Sequence, residues 1–65
     1  MIQTALAQVV DGHSLSREQA FAAMEQILAG EATASQIAGL AIALRMKGET
    51  AEEIAGMAEA MRQRL

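Results

Sequence analysis

Three places in this 65-residue chain bring together residue types that could do chemistry. Asp11, His13 and Ser14 are an acid, a base and a hydroxyl, the makings of an activated nucleophile. They share one short turn, where neighbouring side chains splay apart, whereas triad members come from separate elements. That stretch reads as turn chemistry leading into a helix cap. Glu52 and Glu53 form a candidate acid–base pair, but adjacent helical positions point about 100° apart. Both suit the positive end of a helix dipole and read as solvated first-turn charges. Glu31 and Glu49 read as turn charges in the same way. The third place is "RMKGET", Arg45 to Thr50, where charge, glycine and a hydroxyl crowd together. Locally it is a helix end carrying the cations Arg45 and Lys47, a glycine stop at Gly48 and a cap at Thr50. Every polar residue in it has a structural role, so these residues assign no catalytic group.

Composition narrows the rest. Cysteine is absent, which removes disulfides and thiolate chemistry. His13 is the only histidine, so a zinc site lacks its ordinary ligands. Eight acidic residues outnumber five basic ones, the wrong balance for neutralising phosphates, and Phe21 is the only aromatic side chain that could stack on a base. A nucleic-acid partner is not expected. The longest uncharged run, Ala32 to Leu44, falls short of the roughly 20 residues a bilayer span needs. No basic segment precedes Ile2 to Val10, so no signal peptide is expected and the cytosol is the expected compartment. Met24, Met46, Met57 and Met61 could line an adaptable groove, but at helical spacing they read as core or interface filler.

The elements that must position these residues are helices. Ile2, Ala5, Leu6 and Val9 follow the i, i+3, i+4, i+7 pattern of an amphipathic helix, closed by Asp11-Gly12. Ser16 with Gln19 makes a capping box for a second helix, with Leu15 and Ala20 placed for a hydrophobic staple. Its apolar side holds Ala20, Met24, Ile27 and Leu28, with Phe21 at the edge, and Gly30 ends it. Thr33 with Gln36 and Thr50 with Glu53 repeat the box for a third and a fourth helix. The fourth carries Ile54, Met57, Ala58, Met61 and Leu65 as its apolar stripe. Glu52 and Glu53 lie at its start and Arg62 and Arg64 at its end, the order the dipole favours. No segment alternates with period two. The expected fold is all-α, a small four-helix bundle with short turns, and residues 1–65 form a single helical domain.

The third helix departs from the amphipathic rule. Ile37 to Leu44, "IAGLAIAL", is apolar on every face, and such a helix is normally buried all round. A domain this short has a modest core, with no disulfide or metal to support it. With 52% hydrophobic residues, it is expected to cover surplus apolar surface by association. The candidate interface residues are Ile37, Leu40, Ile42 and Met46. Ile42 lies about 140° around the helix from Ile37, away from the Ile37, Leu40, Ala41 and Leu44 stripe expected to face the core. Gly39 and Gly56, each costing about 1 kcal/mol inside a helix, are expected to mark close approach of another helix.

In order, these pieces resemble the N-terminal helical domain of the anthranilate phosphoribosyltransferase family. The matching pieces are "LS-x-E-x-A" (Leu15 to Ala20), "M-x-x-I-L-x-G-E-A-T" (Met24 to Thr33) and "Q-I-A" (Gln36 to Ala38). They continue with "A-L-R-M-K-G-E-T-x-E-E-I-A-G" (Ala43 to Gly56) and "A-M-R" (Ala60 to Arg62). The resemblance runs from about Leu6 to Arg62. Pyrimidine nucleoside phosphorylases are similar in layout but usually carry "G-M-T" where this chain has Gly48-Glu49-Thr50.

The resemblance implies a parent enzyme that transfers phosphoribosyl from phosphoribosyl pyrophosphate to anthranilate, with magnesium, in tryptophan biosynthesis. It implies that this domain pairs to form a homodimer and joins a C-terminal α/β domain across the active-site cleft. The family's glycine-rich phosphate motif, its magnesium carboxylates and its anthranilate-orienting residues fall after the fourth helix, so no catalytic, cofactor-binding or metal residue is carried over. The chain is expected to be inactive alone. The other readings are the N-terminal domain of a pyrimidine nucleoside phosphorylase, or an independent α-helical module that dimerises through the third helix.

Overall fold

A computed structural model describes residues 1–65. Four helices follow one another: α1 (Ile2–Val10), α2 (Arg17–Leu28), α3 (Ala34–Lys47) and α4 (Ala51–Gln63). The fold is an all-α four-helix bundle, as the periodicity predicts. All three capping boxes form. In each, the Ser or Thr hydroxyl accepts from the N–H three residues on, at 3.0 Å in Ser16–Gln19 and 3.1 Å in Thr33–Gln36 and Thr50–Glu53. The Gln or Glu side chain reaches back to the N–H of the cap residue. Helix α1 has no side-chain cap. Its first N–H, that of Ile2, instead donates to Gln26 Oε1 of α2 at 2.7 Å. Gly48 ends α3 with φ +94°, a conformation that residues with a Cβ avoid.

The helices pack as two pairs. α2 lies mainly on α4 and α1 on α3, with a smaller contact between α1 and α2. The Cα envelope measures 31 × 25 × 16 Å. Packed helices sit about 8–10 Å apart, so the thin dimension holds two layers and every helix keeps an outward face. The core runs through Ile2, Ala5, Val9, Leu15, Ala20, Ala23, Leu40 and Leu44. Leu15 and Ala20, the expected staple pair, are both in it.

Three expectations about faces need correction. The large apolar residues of the expected stripe do not form the buried face of α4: Ile54, Met61 and, beyond the helix end, Leu65 are exposed, and only Met57 packs against the core. The buried face is instead Glu53, Gly56 and Ala60. Gly56 explains why. A Cβ there would overlap the Arg17 carbonyl oxygen and sit 3.0 Å from the Phe21 nitrogen and 3.1 Å from the Ala20 Cβ. α4 therefore crosses the first turns of α2 almost backbone to backbone, and only small residues fit between them. For the same reason Ala20 and Ala23 are the buried residues of α2, while Leu28 is exposed. Finally, the helices that Gly39 and Gly56 approach belong to this chain: Gly39 faces the Leu6 methyls of α1, and Gly56 faces α2.

Candidate functional site

The "RMKGET" corner is where the chain gathers most of its buried polar groups. Lys47 is in the last turn of α3, and Glu53 is the third residue of α4. The Thr50 box draws the Glu53 carboxylate back towards the end of α3, because Thr50 N–H donates to Glu53 Oε1 at 2.8 Å. There it meets Lys47 Nζ at 2.9 Å. The other oxygen, Oε2, accepts from Leu15 N–H in the α1–α2 turn at 2.8 Å. The Lys47 ammonium uses its remaining hydrogens on Ser14 Oγ at 3.2 Å and the Gly48 carbonyl at 2.9 Å. Glu53 is fully buried, and the Lys47 side chain is 8% exposed. No buried side-chain nitrogen or oxygen lacks a partner.

Burial alone would push the Glu53 carboxyl up. The Leu15 and Thr50 N–H groups, followed by Lys47, outweigh it and hold the carboxyl below its ordinary value. A group with this environment is a fixed carboxylate, closed to solvent and unsuited to passing protons. The reading of Glu53 as a solvated charge is thereby overturned, and its pairing with Glu52 as an acid and base does not arise. Glu52 is exposed. Sequence reasoning missed the Lys47–Glu53 pair, although its signal was present. A capping-box glutamate leans back over the preceding turn, and here a lysine ends the helix before that turn.

The remaining candidates stay apart. Asp11, His13 and Ser14 are exposed, and no side-chain hydrogen bond joins them. The Ser14 hydroxyl accepts from Lys47, and its carbonyl accepts from Gln8 Nε2 at 2.8 Å. No three of the acidic residues and His13 converge where a metal ion could be held. No helix is long and apolar enough to cross a membrane.

The interface candidates divide. Leu40 is 3% exposed and belongs to the chain's own core, where it packs on α1; its place as an outward contact is corrected accordingly. Ile37 is 37%, Ile42 60% and Met46 83% exposed. Ile37 and Ala41 lie further from the core than the expected inward stripe had them. Within α3 only Leu40 and Leu44 are buried.

Charge is distributed unequally between the helix pairs. α1 carries no charged residue, and α3 carries only Arg45 and Lys47, both in its last turn. All eight acidic residues lie in α2, α4 or the turns. The α1/α3 pair is thus a layer without acidic residues, charged only at Arg45 and Lys47 in the last turn of α3, with exposed aliphatic side chains. The α2/α4 pair carries the surface ion pairs Arg17–Glu59 (3.4 Å) and, from the residue capping α4, Arg64–Glu25 (3.1 Å).

Residues 3–65 match the family described as "Glycosyl transferase family, helical bundle domain". Among curated relatives, the anthranilate phosphoribosyltransferase of Pelotomaculum thermopropionicum is 53% identical over 64 residues, covering 98% of this chain and 19% of the relative. That of Syntrophotalea carbinolica is 53% identical over 62 residues, covering 95% and 18%. That of a Geobacillus species is 45% identical over 65 residues, covering 100% and 19%. The chain thus spans about a fifth of the length of these relatives. No solved structure matches the chain at significance. The family match across nearly the whole chain, on a fold of four capped helices, shows that the chain belongs to the glycosyl transferase family helical bundle domain.

Proposed function

We propose that this chain is the N-terminal helical domain of an anthranilate phosphoribosyltransferase, a cytosolic enzyme of tryptophan biosynthesis. In this reading the domain serves as a pairing and cleft-forming scaffold and not as a source of catalytic groups. The α1/α3 layer, free of acidic residues, carries the reading. Two copies, each with net charge −3, repel one another least through a layer that holds no acidic residue. Ile42 and Met46, with Val10 at the end of α1, give that layer exposed apolar side chains to bury. The exposed Ile54 and Met61 of α4 lie in the other layer and remain for the α/β domain of the enzyme. The chain's own polar clusters support the non-catalytic part, since Glu53, Lys47 and Ser14 are all engaged in holding the α3–α4 corner.

A chimera tests the role. The segment of the Pelotomaculum enzyme that this chain matches is replaced by this chain, and phosphoribosyl transfer to anthranilate is assayed with magnesium. The chimera is expected to be active and the 65-residue chain alone inactive. Turnover by the isolated chain, or a soluble, folded chimera without activity, contradicts the reading.

A further inference from the structure

Lys47 is one of only two charges in the α1/α3 layer, and it lines an open apolar groove with Val9, Val10, Gly12, Ala43 and Met46. A lysine in that position would ordinarily extend its stem over the apolar surface and place its ammonium in water at the rim. Here it does not. The side chain is turned inward, with Nζ on Glu53 Oε1, Ser14 Oγ and the Gly48 carbonyl. An ammonium has three hydrogens to donate, and all three have acceptors. The acceptor that neutralises it comes from the other layer, from α4. Glu53 needs no lysine to stay in place, because two backbone N–H groups already hold it.

We infer that Glu53 masks the charge of Lys47 and so keeps the groove beside Val10 and Met46 apolar for pairing with a second copy of this chain. The inference rests on the pairing proposed above and adds the device that makes the groove suitable for it. Without the Glu53 charge, the lysine is free to swing out. Its ammonium then stands beside Val10 and Met46, where pairing would have to desolvate it without a partner. Glu53 is a positioning residue in this scheme. It lies inside the domain and acts on the surface through Lys47.

Sedimentation of four chains tests it: wild type, Glu53→Gln, Lys47→Met and the double variant, each checked for helicity by circular dichroism. The expected pattern is a paired wild type and a Glu53→Gln chain that stays helical but pairs about tenfold or more weakly. Lys47→Met should pair as tightly as wild type, because a groove without the charge needs no mask. Adding Lys47→Met to Glu53→Gln should restore pairing. Glu53→Gln pairing as wild type, or a helical double variant as weak as Glu53→Gln, overturns the inference. So does weakened pairing in Lys47→Met, which would make the ammonium itself a contact. If Glu53→Gln fails to fold, Lys47→Met and the double variant decide by the same criteria. A monomeric wild type refutes the pairing itself, and the mask with it, a result distinct from any of these.

Discussion

The main-chain N–H of Leu15 donates to Glu53 Oε2 at 2.8 Å, across 38 residues of sequence. Leu15 lies in the turn between α1 and α2, and its side chain is in the core. Its N–H is therefore carried inward with no helical partner, and an unpaired buried N–H is costly. The α4 carboxylate supplies the acceptor. The same group neutralises Lys47 at the end of α3 and closes the cap of α4 at Thr50. One side chain thus joins the α1–α2 turn, α3 and α4 at a corner where α3 and α4 have little direct contact.

Glu53→Ala removes all three bonds and leaves Lys47 without its counter-ion. Breaking a buried ion pair by deleting one partner costs about 3–5 kcal/mol. Only 11 of the 65 residues are buried, so a loss of that size is a large share of the stability such a core can supply. Urea denaturation should find Glu53→Ala largely unfolded where Glu52→Ala, at an exposed position, stays close to wild type. Equal midpoints for the two variants would contradict the role assigned to the corner.

Acid should reproduce part of this effect. The folded domain holds the Glu53 carboxyl below its ordinary value of 4.5. Such a group contributes stability that is fully present above the unfolded value and is lost as pH falls through the folded one. The thermal midpoint is expected to be level above about pH 5 and to fall as the pH drops below the ordinary carboxyl range. Glu53→Gln should be less stable at neutral pH and show a shallower decline in acid. A parallel decline in both chains would mean that other carboxylates govern the acid response.

The two helical glycines should respond in opposite directions to alanine. At Gly39 the added Cβ would sit 3.6 Å from the Leu6 methyls, an ordinary contact, and the helix gains roughly 0.4–1 kcal/mol. At Gly56 it would meet the Arg17 carbonyl, which belongs to the backbone and cannot turn aside. Separating α4 from α2 to make room should cost about 1–3 kcal/mol. Thermal denaturation of Gly39→Ala and Gly56→Ala reads both, and a stabilised Gly56→Ala would show that the α2–α4 crossing is looser than described.

Local signals were fully legible in the sequence. Ser16–Gln19, Thr33–Gln36 and Thr50–Glu53 are bonded within one turn, and so no tertiary information is needed to find them. The orientation of α4 was not legible. A search for apolar periodicity favours large side chains and selects Ile54, Met57, Met61 and Leu65. The actual contact is between small residues, Ala20 and Ala23 on α2 against Gly56 and Ala60 on α4. Their value lies in letting backbones approach, which hydrophobicity does not register. Glu53 was misplaced for a related reason. Its burial comes from the Leu15 turn, and nothing near Glu53 in sequence shows that turn arriving. In α3 the excess of apolar residues was plain, but which of them the chain itself covers depended on its packing with α1.

The most direct measurement of the central claim, that the α1/α3 layer is a pairing surface, is sedimentation equilibrium of the chain with and without Ile42→Glu. Ile42 is exposed in the middle of α3 and outside the core, so a glutamate there leaves folding intact and puts a charge where the second copy would sit. The wild type should sediment as a dimer at high micromolar concentration, and Ile42→Glu as a helical monomer. A wild type that is already monomeric at that concentration, or an Ile42→Glu chain that still pairs, would contradict the account.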